Sequence, residues 1–560
     1  MSLGDLSLAC ASLLVDELVL GGIRHACVSP GSRSTPITLA LARHDGIEVH
    51  VHLDERSSAF AALGVAKATG APVAIACTSG TAAAEYWPAV VEASQARVPL
   101  VVLTADRPPR LRGTGANQTI DQVAMYGSYV RDTVETPLPW PDDGATWRQL
   151  GARAVRAATA RPPGPVHVNL PFEEPLSPSG ETSPVADPGP MPALAPLAPH
   201  AASSDVERLA TLFSSSERGV LVVGSSPTPP LALIEAATRV GWPVVAEPTS
   251  GVRVPGVLSA GQALVGHPGW LEHAAPRVIV QAGATPTTRA SQVFVASAAD
   301  LAVVDEIHLD PDPEERASVR IHADPELLAA ALDPRIARED SRWHRAWHTA
   351  DARARAAIDD VMDEFDEPFE PRLARDLAAW TPAGATLFVG NSTPIRDLDL
   401  AMAPRIGVRV LANRGASGID GLVSTAMGVA SQVPAVALLG DLSFLYDVGA
   451  LLWNGRAGRA PDLVLVVIRN GGGEVFSLLP QASLPEHRDL FTTPHDVDIE
   501  AVCAAAGCGW RRVDRATALV PALDVAAASG GVQVVEVVVD ASLGLTLRAA
   551  LKDRVATSLA

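Results

Sequence analysis

Residues 436–443 read Val-Ala-Leu-Leu-Gly-Asp-Leu-Ser, and residues 463–473 read Leu-Val-Leu-Val-Val-Ile-Arg-Asn-Gly-Gly-Gly. Each stretch begins with a short aliphatic run that ends at turn residues, which predicts a buried strand of a parallel sheet. Asp441 and Asn470 follow their strands and lie 29 residues apart, about the length of one strand–helix–strand crossover. The pattern therefore places both side chains at the carboxyl edge of one sheet, where α/β sheets bind ligands.

The residue types at this edge suit a divalent cation. A carboxylate, a side-chain amide and a carbonyl exposed at a glycine are hard oxygen ligands of the kind that Mg²⁺ and Mn²⁺ prefer, and Mg²⁺ also takes phosphate oxygens. An aspartate that caps a helix and an asparagine in a turn would produce the same pattern in any α/β protein. The residues by themselves leave both interpretations open.

Short aliphatic runs alternate with helical stretches along the whole chain, in three segments. A stretch with nine prolines in 29 residues, 171–199, follows the first segment, and a charge-rich helical stretch over 342–367 precedes the third. Alternating strands and helices predict parallel sheets. We therefore expect an α/β fold of three doubly wound parallel-sheet domains, at residues 1–185, 200–340 and 365–560. The runs predicted as strands are His25–Ser29, Ile47–Val51, Val73–Thr78, Leu100–Thr104, Val166–Asn169, Gly219–Val223, Pro243–Ala246, Val278–Gln281, Leu301–Asp305, Thr386–Val389, Val436–Leu439 and Leu463–Ile468.

Composition excludes several classes of protein. Of 560 residues, 48% are hydrophobic and 19% charged, which is typical of a chain with large cores. No apolar run reaches the roughly 18–20 residues of a membrane span, and no Lys or Arg precedes Arg24 as in a signal peptide, so we expect a cytoplasmic protein. The net charge of −19 argues against nucleic acid as a partner. The five cysteines include no Cys-x-x-Cys pair, which predicts buried free thiols.

Two turns of the first segment carry candidate functional residues. Residues 29–34 (Ser-Pro-Gly-Ser-Arg-Ser) join a strand to a helix. Exposed backbone N–H groups at such a turn favour an anion, and Arg33 can bind a carboxylate through two nitrogens. Residues 52–56 (His-Leu-Asp-Glu-Arg) open a helix predicted over 57–68, and a lone Glu55 there is by default a first-turn residue favoured by the helix dipole.

The spacing of Asp441 and Asn470 resembles the diphosphate-binding signature of thiamine-diphosphate enzymes, in which an asparagine follows an aspartate by one crossover. The common form begins Gly-Asp-Gly, whereas the Gly-Asp-Leu-Ser of residues 440–443 is similar to one subfamily. Members of that subfamily decarboxylate 2-oxoglutarate and add the resulting succinyl-semialdehyde carbanion to isochorismate in menaquinone biosynthesis. The strings that resemble the same subfamily are 29–34, 52–60, 104–109, 112–119, 390–397 and 413–421.

The resemblance implies a role for each matching residue. Asp441, Asn470 and the Gly472 carbonyl would hold Mg²⁺ or Mn²⁺, and Glu55 would hydrogen-bond the aminopyrimidine ring as the catalytic carboxylate. Further cofactor contacts are implied for Ser392, Ile419, Gly440, Leu442, Ser443, Val475 and Phe476. Substrate contacts are implied for Ser32, Arg33, Arg107, Asn117, Gln118, Arg396, Arg414 and Leu479, of which Arg33 and Gln118 would also be catalytic. In the central segment Arg289 is a further candidate substrate contact, although the residues that flank it depart from the family's pattern. Ile419 would equally suit a buried loop, and Val475, Phe476 and Leu479 would equally close a core.

The resemblance also implies how the domains work together. The first domain would bind the aminopyrimidine, and the third would bind the diphosphate and the metal. The chain would form a dimer or a dimer of dimers, in which Glu55 serves the Asp441 site of the neighbouring subunit.

The nearest alternative is another thiamine-diphosphate enzyme, such as an acetohydroxyacid synthase or a 2-oxoacid decarboxylase. Both expected substrates carry two carboxylates, which the arginine set would bind against the negative net charge; small apolar substrates would not need it. A dinucleotide-binding oxidoreductase has little support, because residues 224–226 (Gly-Ser-Ser) do not begin Gly-x-Gly-x-x-Gly. A non-catalytic relative would be expected to lose Glu55, Asp441 or Asn470, and the chain keeps all three.

Overall fold

Three parallel sheets follow one another along the chain, each with helices between its strands. The structure, a computed structural model, describes residues 2–180, 185–192, 199–306, 311–332, 341–453 and 461–560. The predicted fold class, three parallel-sheet α/β domains, is confirmed. The expected end of the central domain at residue 340 lies outside the described residues, as do 181–184 and 193–198 of the proline-rich stretch.

The N-terminal sheet has six parallel strands in the order β2-β1-β3-β4-β6-β5. Its strands are β1 (His25–Val28), β2 (Glu48–Val51), β3 (Val73–Cys77), β4 (Leu100–Asp106), β5 (Thr133–Glu135) and β6 (Val166–Pro171). Its helices are α1 (Leu3–Leu20), α2 (Thr35–Arg43), α3 (Glu55–Thr69), α4 (Thr81–Ala84), α5 (Trp87–Gln95) and α6 (Gly144–Thr159).

The central sheet has five parallel strands in the order β11-β10-β9-β7-β8. Its strands are β7 (Gly219–Val223), β8 (Val244–Ala246), β9 (Val278–Ala282), β10 (Asp300–Val304) and β11 (Val319–Ile321). Its helices are α7 (Ser203–Ser215), α8 (Leu231–Arg239), α9 (Gly261–Val265), α10 (Pro268–Ala274), α11 (Arg289–Ala296) and α12 (Pro325–Ala330), and the long helix α13 (Arg342–Glu364) leads to the third sheet.

The C-terminal sheet has six parallel strands in the order β13-β12-β14-β15-β17-β16, which repeats the connectivity of the first sheet. Its strands are β12 (Thr386–Val389), β13 (Arg409–Leu411), β14 (Ala435–Gly440), β15 (Leu463–Arg469), β16 (Gly509–Val513) and β17 (Val532–Val538). Its helices are α14 (Glu370–Trp380), α15 (Thr393–Ala401), α16 (Leu422–Ala430), α17 (Asp441–Tyr446), α18 (Ile499–Ala506), α19 (Leu519–Ser529) and α20 (Ala541–Leu559).

All twelve predicted strands are present, and the sequence analysis did not name β5, β11, β13, β16 and β17. Three of these five are only three residues long. In β17 the aliphatic run is interrupted by Gln533 and Glu536, which are buried because they have partners inside the fold. Glu536 accepts hydrogen bonds from Arg469 at 2.7 Å and from Trp510 at 2.9 Å.

The N-terminal and C-terminal sheets meet through helices α3 and α16, which pack backbone against backbone. A Cβ atom at Gly64 of α3 would lie 2.1 Å from the carbonyl oxygen of Thr425, and a Cβ at Gly428 of α16 would lie 2.0 Å from that of Ala61. Neither position therefore accepts a side chain without separating the helices. The two glycines fix the distance between the two sheets.

The central sheet is joined to the C-terminal sheet by a buried ion pair. Arg253 donates to Asp399 Oδ1 at 3.0 Å and to the Met402 carbonyl at 2.9 Å, and both charged side chains are buried. Helices α13 and α20 add apolar contacts to the core that they share with the central strands. The central domain thus packs against the elements that carry the C-terminal loops.

Two expectations from composition can be compared with the described residues. None of their helices combines the length and the apolar character that crossing a bilayer requires. All five cysteines are free thiols, and four of them are buried, whereas Cys508 is partly exposed.

We expect Gly64→Ala and Gly428→Ala each to destabilise the protein. Alanine normally stabilises a helix by about 1 kcal/mol relative to glycine, but overpacking a tight contact costs about 1–3 kcal/mol, and a backbone carbonyl cannot turn away as a side chain can. Thermal denaturation measures the result. Gly449→Ala is the control, since a Cβ at Gly449 would have only Asp54 Oδ2 within 4 Å, at 3.8 Å. A melting temperature at or above wild type in both variants would contradict the tight contact.

Candidate active site

Asp441 is a buried carboxylate that holds a glycine-rich loop in place. It is the first residue of α17, directly after β14, and 1% of its surface is exposed. Its Oδ2 accepts the N–H groups of Gly471 at 2.9 Å and Gly472 at 3.1 Å, and its Oδ1 accepts that of Leu442 at 2.7 Å. His495 Nε2 lies 3.3 Å from Oδ2. Burial raises the pKa of Asp441, and these neighbours only partly oppose that shift.

Asn470 and Gly472 flank Gly471 on the loop whose N–H groups Asp441 accepts. Asn470 Nδ2 donates to Glu370 Oε1 at 3.1 Å, which leaves the amide Oδ1 as the end that can bind a cation. Gly472 has φ +144°, and a Cβ there would lie 2.4 Å from the Thr492 carbonyl oxygen. Asp441 Oδ1 accepts one hydrogen bond in the described structure and so retains a lone pair. The set of donors, all oxygens, fits Mg²⁺ or Mn²⁺.

The other residues predicted around the diphosphate lie on the same edge. Gly440, Leu442 and Ser443 surround Asp441 at the start of α17 and are partly exposed. Val475 and Phe476 lie in the short helical segment Glu474–Leu478, and Phe476 packs against Phe491 with ring centroids 5.6 Å apart. Leu479 is 42% exposed. These apolar side chains therefore form an accessible surface and do not close a core.

Two loops of the C-terminal sheet are joined through Asn391. This buried residue follows β12 and donates from Nδ2 to the Gly418 carbonyl at 2.8 Å, while its Oδ1 accepts Arg414 Nη1 at 3.3 Å. Arg396 lies on α15 and donates to the Ser392 carbonyl. Burial lowers the pKa of Arg414, and the charge of Arg396 lowers it further. The predicted pair of arginines is therefore brought together.

Ser392 and Ile419 belong to these two loops. Ser392 has φ +72°. Residues other than glycine rarely adopt this backbone conformation, which costs about 1–3 kcal/mol. Such strain is common where a loop grips a ligand. Ile419 is 39% exposed, so the alternative of a buried loop residue is not what the structure shows.

A second pair of arginines lies at the carboxyl edge of the N-terminal sheet. Arg33, which is buried, donates to the Phe172 carbonyl at 3.0 Å and to Glu174 at 2.9 Å. Arg107 donates to the hydroxyl of buried Ser79, and burial and then the charge of Arg33 lower the pKa of Arg107. Gln118 donates to the Ser79 carbonyl at 2.9 Å. Arg107 and Gln118 therefore meet at Ser79, which the sequence analysis did not single out.

The remaining substrate candidates are less closely tied to these clusters. Ser32 and Asn117 are exposed on the turns that carry Arg33 and Gln118. Arg289 begins α11 of the central sheet and is 73% exposed, and its ion pair is with Glu314 at 3.4 Å. Among the described residues, Arg289 forms no hydrogen bond or ion pair with the other candidates.

Glu55 is the first residue of α3, two residues earlier than the predicted start of that helix. Asp54 caps the helix by accepting the N–H groups of Arg56 at 2.8 Å and Ser57 at 3.2 Å. The cap leaves the Glu55 carboxylate half-buried beyond the carboxyl end of β2, and burial raises its pKa. Arg56 donates to the Tyr446 carbonyl at 3.3 Å, at the far end of α17 from Asp441.

A buried lysine and glutamate hold the Arg414 loop, and the sequence analysis missed both. Glu92 of α5 accepts the N–H groups of Gly415 at 2.9 Å and Ala416 at 2.7 Å. Lys67 of α3 donates to the Ala412 carbonyl at 2.8 Å and to Asn413 at 2.9 Å, and its Nζ lies 3.4 Å from Glu92. The sequence did distinguish Lys67, because it is one of two lysines among the 44 Lys and Arg residues.

Two family models match the chain. The thiamine pyrophosphate enzyme N-terminal TPP binding domain matches residues 9–125, and the thiamine pyrophosphate enzyme C-terminal TPP binding domain matches residues 406–537. The first covers the loops with Arg33, Glu55 and Arg107, and the second covers those with Arg414 and Asp441. The chain is therefore a thiamine-diphosphate enzyme.

Curated relatives match over nearly the whole length. Those from Thermobifida fusca, Chloroflexus aurantiacus and Myxococcus xanthus are 43%, 40% and 38% identical, over 99%, 94% and 99% of this chain and 99%, 92% and 98% of their own. Each is named 2-succinyl-5-enolpyruvyl-6-hydroxy-3-cyclohexene-1-carboxylate synthase. The chain belongs to this synthase family.

We expect Glu92→Gln to weaken both the fold and substrate binding. The variant leaves Lys67 without its charge partner, and breaking a buried pair costs about 3–5 kcal/mol. Because the Arg414 loop loosens, KM for the 2-oxoacid should rise more than kcat falls. Chemical denaturation and steady-state kinetics measure the two effects.

Lys67→Met combined with Glu92→Gln removes both charges and should cost less than the sum of the single changes. The exposed Glu235 of α8 supplies the control, Glu235→Gln, which should be neutral. Additive losses in the double variant, or an unchanged KM in Glu92→Gln, would contradict this positioning role.

Proposed function

We propose that this enzyme decarboxylates 2-oxoglutarate and adds the succinyl-semialdehyde carbanion to isochorismate in a 1,4-addition, the reaction that forms the compound in its relatives' name, within menaquinone biosynthesis. The observation that carries this proposal is the two pairs of arginines, Arg33 with Arg107 and Arg396 with Arg414, at two sheet edges. The two positive charges of each pair favour the binding of an anion. Two substrates with two carboxylates each match that demand.

Thiamine diphosphate, when bound, would supply a nucleophilic carbon for the 2-oxoacid and a cationic thiazolium ring able to accept the electron pair left by CO₂. We assign Asp441, Asn470 and the Gly472 carbonyl to Mg²⁺, with Mn²⁺ as a possible substitute. Gly440, Leu442 and Ser443 would contact the diphosphate. Val475, Phe476 and Ile419 would contact the apolar parts of the cofactor, and Leu479 would contact substrate.

In this proposal each arginine pair binds one end of a substrate. Arg396 and Arg414, with Ser392, bind carboxylate on the C-terminal side, and Arg33 and Arg107, with Ser32, Asn117 and Gln118, bind carboxylate on the N-terminal side. Arg33 is buried and Arg414 is partly buried, so exclusion of water strengthens their attraction to a carboxylate. Glu174 already neutralises part of the Arg33 charge, so a substrate carboxylate would compete with it. The exposed Arg289 would contact substrate from the central domain.

Glu55 is the proposed catalytic carboxylate of the aminopyrimidine ring. A half-buried carboxylate with a raised pKa can share a proton with a ring nitrogen, and this interaction favours the ring tautomer that removes the proton from the reactive carbon. The cap from Asp54 fixes the start of α3 and so the direction of the Glu55 side chain. The proposed acid–base role is thus built into the start of one helix.

We also propose that the enzyme works as a dimer, or as a dimer of dimers, with each active site shared by two subunits. Within one chain, Arg56 contacts the end of α17 opposite Asp441, which favours pairing of Glu55 with the Asp441 of another subunit. Leu53, Tyr446 and Leu452 lie at this junction and are 63%, 52% and 57% exposed. Large exposed apolar side chains in one region suit contact with a second copy.

An assay of product formation from 2-oxoglutarate and isochorismate tests the proposed function. We expect turnover only with thiamine diphosphate and Mg²⁺ or Mn²⁺, and loss of turnover on chelation. Pyruvate lacks the distal carboxylate and should be a poor substrate. Comparable turnover of pyruvate would contradict the substrate assignment while leaving the cofactor assignment intact.

Arg396→Ala and Arg414→Ala should each weaken the use of 2-oxoglutarate. A charge-assisted hydrogen bond contributes about 1.5–3 kcal/mol, so kcat/KM should fall by roughly one to two orders of magnitude. Arg208→Ala on α7, where the side chain is 62% exposed, is the control. Wild-type kcat/KM for 2-oxoglutarate in both variants would remove these arginines from the substrate site.

Complementation between inactive variants tests the shared site. Glu55→Gln and Asp441→Ala proteins are mixed under conditions in which subunits exchange. A mixed dimer then combines one intact Glu55 with one intact Asp441 across the interface, and activity should return to a fraction of the wild-type level. If exchange is demonstrated and no activity returns, Glu55 and Asp441 do not act across subunits.

A further inference from the structure

Two histidines and a glutamate lie together on the two outer strands of the N-terminal sheet, away from the arginine pairs. His25 begins β1, Glu48 is its direct partner in the edge strand β2, and His50 lies two residues further along β2. Side chains two residues apart on a strand point to the same face. Parallel pairing therefore brings all three side chains to one face.

The spacing of the donor atoms matches a coordination sphere. His25 Nδ1 lies 3.3 Å from His50 Nε2 and 3.7 Å from Glu48 Oε2, and one atom from each residue falls within 4.8 Å of the others. Two ligands at about 2.0–2.1 Å from a tetrahedral zinc ion lie roughly 3.3–3.4 Å apart. The 3.3 Å between His25 Nδ1 and His50 Nε2 therefore equals the spacing of two zinc ligands.

We propose that His25, Glu48 and His50 form a binding site for a divalent transition-metal ion of the zinc class, separate from the cofactor metal site. Two imidazoles and a carboxylate are the ligands that such ions prefer, whereas Mg²⁺ selects oxygen ligands alone. A fourth position would be open to water. The Glu48 side chain is 63% exposed and that of His25 is 15% exposed, so an ion can reach the group from solvent.

The protonation of the histidines suits this role. Burial lowers the pKa of His25 and of His50, and Glu48 only partly opposes the shift. Both rings are therefore neutral near pH 7 and offer a nitrogen lone pair to an ion. The nitrogens could instead share a proton as a hydrogen-bonded pair, which is the alternative that the experiment must separate from metal binding.

The position of the site gives an ion a structural consequence. Among the strands that the structure describes, β2 pairs with β1 alone, and it leads through His52 to Glu55. An ion held by β1 and β2 together would fasten the edge strand to the sheet. We therefore expect metal binding to stabilise the fold as well as to occupy the site.

The experiment is a titration of the full-length enzyme with Zn²⁺, in the presence of saturating thiamine diphosphate and Mg²⁺, followed by calorimetry and by thermal denaturation. Co²⁺ replaces Zn²⁺ in a parallel titration, because its visible absorption reports tetrahedral nitrogen ligation. The variants are His25→Ala, His50→Ala and the conservative Glu48→Gln at an exposed side chain. His344→Ala is the control, because His344 and His348 form a second close histidine pair among the described residues, with ring centroids 4.1 Å apart.

We expect one Zn²⁺ equivalent in wild type that raises the melting temperature and that excess Mg²⁺ does not displace. Loss of a group that merely orients a ligand costs about 10–100-fold in metal affinity, so each histidine variant should lose at least that much, and Glu48→Gln should lose about tenfold. The control should bind as wild type. Equal Zn²⁺ binding in wild type, Glu48→Gln and a folded histidine variant, or loss of the equivalent only in His344→Ala, would overturn the proposal.

Discussion

The close packing of α3 against α16 sets the geometry on which the rest of the structure depends. Gly64 and Gly428 let the two backbones touch, and this contact fixes the N-terminal and C-terminal sheets relative to each other. Lys67 lies on the same helix, and with Glu92 it holds the loop that carries Arg414. Glu55 begins that helix. One interface therefore positions the proposed catalytic carboxylate and part of the proposed substrate site together.

The net charge of the protein is opposite in sign to the charge of the arginine pairs at its sheet edges. The chain carries a net charge of −19, yet arginines gather at the carboxyl edges of two sheets. Burial, together with the charge of a neighbouring arginine, lowers the pKa of Arg107 and of Arg414. A partly buried cation is costly unless an anion neutralises it. Under the proposed function, this cost favours the binding of dianionic substrates in a protein whose net charge repels anions.

Much of the fold could be predicted because its strands are uninterrupted aliphatic runs, as in Val436–Leu439. Strand β17 was missed because buried Gln533 and Glu536 interrupt the run, and no local pattern shows that they have partners. At the site, the turns with Arg33 and Asp441 were found because their glycines and charges are adjacent in sequence. Ser79 and Glu92 were missed because their contacts come from residues far away in sequence.

The central claim is that Glu55 activates the bound thiamine diphosphate, and exchange of the thiazolium proton tests it most directly. Wild type and Glu55→Gln, both loaded with cofactor, are transferred to D₂O and quenched at intervals. Glutamine preserves size, so stability should change by less than about 0.5 kcal/mol, whereas exchange should slow by about 10²–10⁴-fold. Exchange at the wild-type rate in a folded, cofactor-loaded Glu55→Gln enzyme would contradict the account.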